Sequence, residues 1–360
     1  MSHTDYSRST LSLASKALSE HALLVSLVGA YFLAAAGIAA LYGLPFDFAP
    51  NLRGYALMMS IPLLFILCWH AISVMIFVRP QRLTRYLISS MKPYLALPRL
   101  FSGLTVLALI PVFSTTFTYF KSTIPSINPY SWDVFLTRWD YLLHGGSHPW
   151  VLMQPIVGYP IITSGINFVY HLWFFILYAI VVLQAFDNRA PALRMRFLLS
   201  FMLTWIVIGT LGAIFFASMG PCYDPNLANG SSPYAALMDY LRRADELFPV
   251  YALGVQEMLW ENYQHNRPGI GSGISAMPSM HVATAVLMAL FGWQYSRLAG
   301  IALTLFALTI FVGSIHLGWH YAIDGYAGAL GAWLIWWLVG RWQGHAPSAR
   351  TVPTNKRLRP

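Results

Sequence analysis

The chain has 360 residues, of which 57% are hydrophobic and only 10% charged, with a formal net charge of +9. A water-soluble domain carries about a quarter charged residues, so a soluble enzyme and a soluble nucleic-acid-binding module are both excluded. What remains is an integral membrane protein.

Runs of some eighteen or more mostly apolar residues read as spanning helices, and eight occur. The first, Ala22–Gly43, is too long and too poorly flanked by basic residues for a cleaved signal peptide. Tyr55–Val78 and Leu100–Tyr119 follow, and then a long connection, Phe120–Pro160. Within it PYSWDVFLTRWDYLLHG repeats apolar residues at three and four, which reads as an amphipathic helix on the outer membrane surface or as a loop packed over the bundle. Ile161–Ala185 and Phe197–Met219 precede a second long connection, Gly220–Met277. Both connections are rich in Trp and Tyr, which favours order over disorder. The last three spans are Pro278–Tyr295, Leu298–Gly318 and Tyr321–Trp342. The expected fold is all-α, a membrane helical bundle of about eight transmembrane helices. Cys68 lies in the second span and Cys222 in an outside loop, so a disulfide between them is not expected.

With a cytoplasmic N-terminus, sixteen of the 22 Lys and Arg fall on inside segments and six outside, namely Arg53, Lys121, Arg138, Arg242, Arg243 and Arg267. That bias puts both termini in the cytoplasm. The basic tail, Lys356–Arg359, reads as a topology anchor, and the net charge as attraction to anionic lipid, with no nucleic-acid partner.

Three of the eleven histidines, His281, His316 and His320, then meet at the outer ends of the last three spans. Asp324, the only acidic residue inside any span, follows His320 by four residues. A carboxylate at that spacing can accept the imidazole Nδ1–H and leave Nε2 bare, the arrangement of an activated nucleophile or base. In MPSMHVATAV, Pro278 suits a first helical position, and the free N–H groups of that turn with the Ser279 hydroxyl form a site for an anion. His281 sits in the same turn. A phosphate held there would have one histidine to attack phosphorus and another to protonate the departing oxygen, and at an interface its carrier would be a lipid.

PSMH at Pro278–His281 and SIHLGWHYAID at Ser314–Asp324 resemble the second and third signature motifs of the type 2 phosphatidic acid phosphatase superfamily. Asp133, Leu136, Asp140, Leu143, Gly145 and Pro149 are similar to a segment of its inositol phosphorylceramide synthase-like branch. The resemblance covers roughly Leu100–Trp342. It implies a six-helix catalytic core, with His320 as nucleophile, Asp324 as its orienting partner, His281 as general acid and Ser279 as a phosphate ligand. It implies no metal and no cofactor. The chain then divides into a cytoplasmic segment 1–21, two accessory transmembrane helices 22–99, the core 100–343 and a basic cytoplasmic tail 344–360.

The departures from the family pattern carry information. Ser314 stands where an arginine is usual, Met280 where the second motif has Gly, and Trp260 where the first motif has the lysine preceding Arg267-Pro268. Losing two cations should weaken a dianionic monoester more than a monoanionic diester, which favours a transferase over a phosphatase. Arg267, with Arg242 or Arg243, is the expected remaining positive contact, and Ser314 and His316 are further candidates for substrate binding. The expected donor is a phospholipid and the acceptor a ceramide-like lipid, or water if the enzyme is a phosphatase. The expected site is exoplasmic. Two rivals stay open. His316 and His320 have the spacing of a helical zinc pair, although Leu317 stands where a zinc hydrolase would put its Glu. A transporter would instead place polar groups at the midplane of an inverted repeat. His70 and His171 read as satisfied within the bundle, and His144 and His148 as loop residues.

Overall fold

In the computed structural model, the described residues are 3–345 apart from Ala228, Asn266 and Pro268, with side chains from Ser12 to Gly344. The basic tail from Arg350 onward, including Lys356–Arg359, lies outside them, as does Pro268 of the Arg267-Pro268 pair. Among the described residues there is no strand. In hydrocarbon every backbone donor must be satisfied within its own segment, and a helix does this for each residue.

In chain order the elements are α1 (His3–Glu20), α2 (Ala22–Tyr42), α3 (Ala49–Ser73, prolonged by a π-helical turn, Val74–Val78), α4 (Leu83–Met91) and α5 (Leu97–Ile127). Next come α6 (Asp133–Leu143), α7 (Pro149–Val157), α8 (Pro160–Phe186) and α9 (Pro191–Leu203), which continues through a π-helical stretch, Thr204–Gly212, into α10 (Ala213–Phe215). Two short helices, α11 (Ala235–Asp245) and α12 (Tyr251–Gln264), precede α13 (Met280–Tyr295), α14 (Arg297–His316) and α15 (Ala322–His345). Proline stands at the first or second position of α3, α5, α7, α8 and α9, where its missing N–H has no helical partner to lose.

Among the described residues, seven of these helical runs are long and apolar enough to cross a membrane. The eighth expected span forms as helix α13 but has only sixteen residues, roughly 24 Å at 1.5 Å per residue, short of a full hydrocarbon core. It lies inside the bundle, against α14, α15 and α9. The segment Asp133–Leu143 is a helix as its pattern suggested, and it is also packed on the bundle, since Leu136 and Asp140 are buried. The long Gly220–Met277 connection holds α11 and α12.

Interhelical hydroxyl bonds register the spans. Tyr55 of α3 meets Thr118 of α5 at 2.6 Å, Tyr178 of α8 meets Ser114 of α5 at 2.8 Å, and Tyr31 of α2 meets Thr210 at 2.6 Å. Such bonds are worth about 0.6 kcal/mol each inside a membrane. Their larger effect is directional, because the first two turn Ser114 and Thr118 of α5 toward the neighbouring helices α8 and α3.

Candidate active site

The turn between α14 and α15 builds one half of the site. Helix α14 ends at His316, and Gly318 takes φ +75°, a conformation that only glycine adopts without cost. The chain then folds back so that the His320 N–H donates to the Ser314 carbonyl at 2.9 Å. His320 therefore stands just ahead of α15, and Asp324 lies in that helix's first turn. The Asp324 carboxylate Oδ2 accepts the His320 Nδ1–H at 3.3 Å and the Tyr321 N–H at 3.0 Å. Both side chains are buried, Asp324 completely. With Nδ1 committed to the carboxylate, Nε2 is the nitrogen free for chemistry.

The start of α13 supplies the other half. Ser279 is the N-cap: its hydroxyl accepts the Val282 N–H at 3.4 Å, and its own N–H donates to the Asp324 carbonyl at 3.0 Å. The two helices approach this closely because Gly328 carries no side chain; a Cβ there would sit 2.5 Å from the Ser279 carbonyl oxygen. His281 follows one residue into the helix. Its ring lies between Tyr170, stacked at 4.7 Å, and Trp173, at 4.1 Å. Trp173 is itself fixed by donating Nε1–H to the Thr284 hydroxyl at 2.8 Å. The His281 and His320 rings face each other edge to face, with centroids 6.0 Å apart.

Helix α6 braces this arrangement from outside the spans. The Asp140 carboxylate accepts the Ala322 and Ile323 N–H groups, both at 3.1 Å, which caps α15. Burial pushes the Asp140 carboxyl up from the ordinary aspartate value, outweighing the two backbone donors that pull it down. Asp133 accepts the Met219 and Gly220 N–H groups and the Tyr321 hydroxyl. The free N–H groups at the head of α15 are thus taken by carboxylates of the protein. Asp140→Ala is expected to cost about 1–3 kcal/mol for each donor laid bare, read as a lower unfolding midpoint in detergent, with activity falling alongside; an unchanged midpoint would show that α6 is dispensable to α15.

His281 and His320 share a cavity of about 280 Å³, walled by Tyr170, Trp173, Trp205 and Trp319. Met280 also lines it, and Gly209 makes room for that side chain, since a Cβ at Gly209 would lie 2.8 Å from the Met280 sulfur. The other expected substrate contacts sit elsewhere. Ser279 is buried in its capping role. Ser314 donates its hydroxyl to the Phe311 carbonyl at 2.8 Å, so its carbonyl rather than its side chain serves the site. His316 pairs through Nε2 with Thr163 at 2.9 Å and lies beside Tyr240, away from the cavity. Because the helix ends at His316, the pair four apart does not share a helical face, and among the described residues no three His, Cys, Asp or Glu side chains gather as a metal site. Arg267 lines a separate cavity of about 460 Å³ with Asn51, Tyr119, Ser126 and Asn262, and Arg242 pairs with Asp239 at 2.6 Å. In their place the cavity wall carries Lys121 and His171. The length of α5 hid the lysine: the helix runs to Ile127, past the expected end at Tyr119, so Lys121 belongs to a helix and not to a loop.

The family model described as the PAP2 superfamily matches residues 134–338, more than half of the chain. No curated protein and no solved structure matches it. The matched stretch runs from the bracing helix α6 through α15 and contains His281, His320 and Asp324. An all-helical membrane bundle matched over that stretch is a member of the PAP2 superfamily, and the chain belongs to it.

Proposed function

We propose that the chain is a lipid phosphotransferase that works through a phosphohistidine, with His320 as nucleophile, Asp324 as its orienting partner and His281 as proton donor and acceptor. The observation that carries this reading is the pair of facing imidazoles over one cavity, only one of which has a buried carboxylate at Nδ1. In the first half-reaction the His320 Nε2 lone pair attacks phosphorus of a phospholipid. The P–N bond forms, the P–O bond to the diacylglycerol oxygen breaks, and His281 gives that oxygen its proton. In the second, an acceptor hydroxyl attacks phosphorus and yields its proton to His281 as the P–N electrons return to His320. The protein ends as it began.

Belonging to the superfamily suggests phosphatase or phosphotransferase chemistry on lipids. Transfer to a lipid is favoured by the cavity's wall, where eight Phe, Tyr and Trp side chains disfavour bulk water. The inositol phosphorylceramide synthase-like branch is supported by Asp133 and Asp140, members of the segment that resembles it and the two carboxylates that brace α15. The donor is then a phosphoinositol-type lipid, the acceptor a ceramide-like lipid, and the site faces the exoplasmic side, as the Lys and Arg bias argues.

Purified protein incubated with labelled phosphatidylinositol or phosphatidylglycerol, with and without ceramide, is expected to form a labelled phosphosphingolipid only when ceramide is present. Inorganic phosphate as the sole labelled product, from these lipids or from a polyprenyl phosphate, would make the enzyme a phosphatase and overturn the transferase reading.

A further inference from the structure

We propose that the Lys121 ammonium holds the transferred phosphoryl group, and that a single cation in this position fits the site to a singly charged phosphodiester in preference to a doubly charged phosphomonoester. The inference rests on the phosphohistidine reading of the same cavity and names the ligand that motif comparison leaves unfilled. Lys121 precedes the segment matched by the family model and lies in none of the three motifs named above.

Three observations support the assignment. The backbone at Lys121 is held from two sides. One helical turn earlier Thr118 is tied to Tyr55 at 2.6 Å, and the loop ahead of α13 presses on it at Gly273, where a Cβ would come 2.6 Å from the Lys121 carbonyl carbon. The side chain borders the cavity that His281 and His320 share. Finally, among the described residues no carboxylate lies within ion-pair distance of it.

Lys121 is half-buried, and an ammonium partly withdrawn from water on an apolar helix, with no counter-ion in reach among the described residues, is by default a functional group in search of its partner. A phosphate in the cavity is such a partner. The wall around it is poor in satisfied polar groups: Tyr170 Oη, Trp205 Nε1 and Trp319 Nε1 belong to cavity residues and are buried without a hydrogen bond.

The charge count decides the substrate class. Among the described residues lining this cavity, Lys121 is the one Lys, Arg, Asp or Glu. A phosphodiester carries one negative charge and is neutralised by Lys121, which leaves the proton on His281 free for the departing oxygen. A monoester dianion would need both positive charges and would hold that proton in a low-dielectric space, where Coulomb energies are several times those in water. As the phosphoryl group passes between oxygen and nitrogen, the ammonium remains beside its non-bridging oxygens, where charge gathers.

The test uses the full chain in detergent or nanodiscs, with wild type, Lys121→Met, Lys121→Gln and Lys121→Arg. Each is assayed for kcat/KM on a labelled phosphodiester lipid and for the rate of label appearing on the protein. Lys121→Met and Lys121→Gln are expected to lose roughly 10²–10³ in both, the loss that follows removal of one preorganised charge donor, while Lys121→Arg recovers most of it. Wild type labelled at full rate together with a well-folded Lys121→Met labelled equally fast would overturn the role of Lys121 and leave the phosphohistidine standing. Absence of label on wild type would overturn the phosphohistidine itself. Should the neutral variants fail to fold, wild type alone still decides the substrate class: it is expected to favour a diester over the corresponding monoester by about tenfold or more in kcat/KM, and equal or reversed preference would contradict the proposal.

Discussion

Replacing His320 by alanine is expected to stop turnover, by about 10⁴-fold or more, because no other side chain in the cavity has a carboxylate-braced imidazole. His281 cannot take over, since it is held by the rings of Tyr170 and Trp173 and has no carboxylate partner. The companion substitution Asp324→Asn separates orientation from nucleophilicity. An amide can still reach Nδ1, but it no longer favours the tautomer with Nε2 bare nor stabilises positive charge on the ring, and a loss of about 10³–10⁴ in kcat is expected by analogy with other oriented histidines. His316→Ala, by contrast, removes a side chain bound to Thr163 outside the cavity and should alter stability more than kcat. Steady-state kinetics on the three purified variants checks the ranking. A His320→Ala enzyme with undiminished kcat would remove the nucleophile from the scheme.

Gly328→Ala is expected to be the most damaging of the conservative changes. The added methyl group would lie 2.5 Å from the Ser279 carbonyl oxygen and 3.4 Å from the Ala283 nitrogen, and neither is a flexible side-chain end that can swing aside. Helices α13 and α15 must separate, which breaks the Ser279 N–H to Asp324 carbonyl bond and pulls His281 away from His320. Overpacking of this kind costs about 1–3 kcal/mol in a packed interior. Catalysis is more sensitive, because a displacement of about 1 Å can remove about 10²-fold. A thermal melt in detergent combined with kcat measurement reads both. An enzyme with wild-type kcat would show that the contact between these helices does not set the imidazole geometry.

The reasons some of this was legible in the sequence are local. His320 and Asp324 are linked by a spacing that survives even though the histidine stands just outside the helix, since the first turn of α15 still brings the carboxylate under the ring. His281 was legible from its place in the first turn of a capped helix. The spans were legible because apolar length is a property of the sequence alone, and α13 is the exception: its sixteen residues are buried by neighbours rather than by thickness of lipid.

What was hidden depends on where helices stop and on which wall of the bundle a side chain meets. Lys121 looked like a loop cation because apolarity ends near Tyr119, whereas the helix itself continues for eight more residues on a polar stripe packed against α3 and the loop at Gly273. Arg267 looked like the surviving phosphate contact and lines the neighbouring cavity instead. His316 lost its place beside His320 to the glycine turn at Gly318, and the Ser279 hydroxyl is spent on its own helix. Tyr170 and Trp173 had no motif to announce them; their role comes only from the packing of α8 across the head of α13.

The most direct measurement mixes the purified enzyme with a phosphodiester lipid labelled at phosphorus, quenches within the first turnover and locates label on the protein. The account predicts label on the protein that survives alkali, is lost in acid and maps to residue 320, and that leaves the protein when the acceptor lipid is added. Product formed with no labelled protein at any time, or label on another residue, would contradict it.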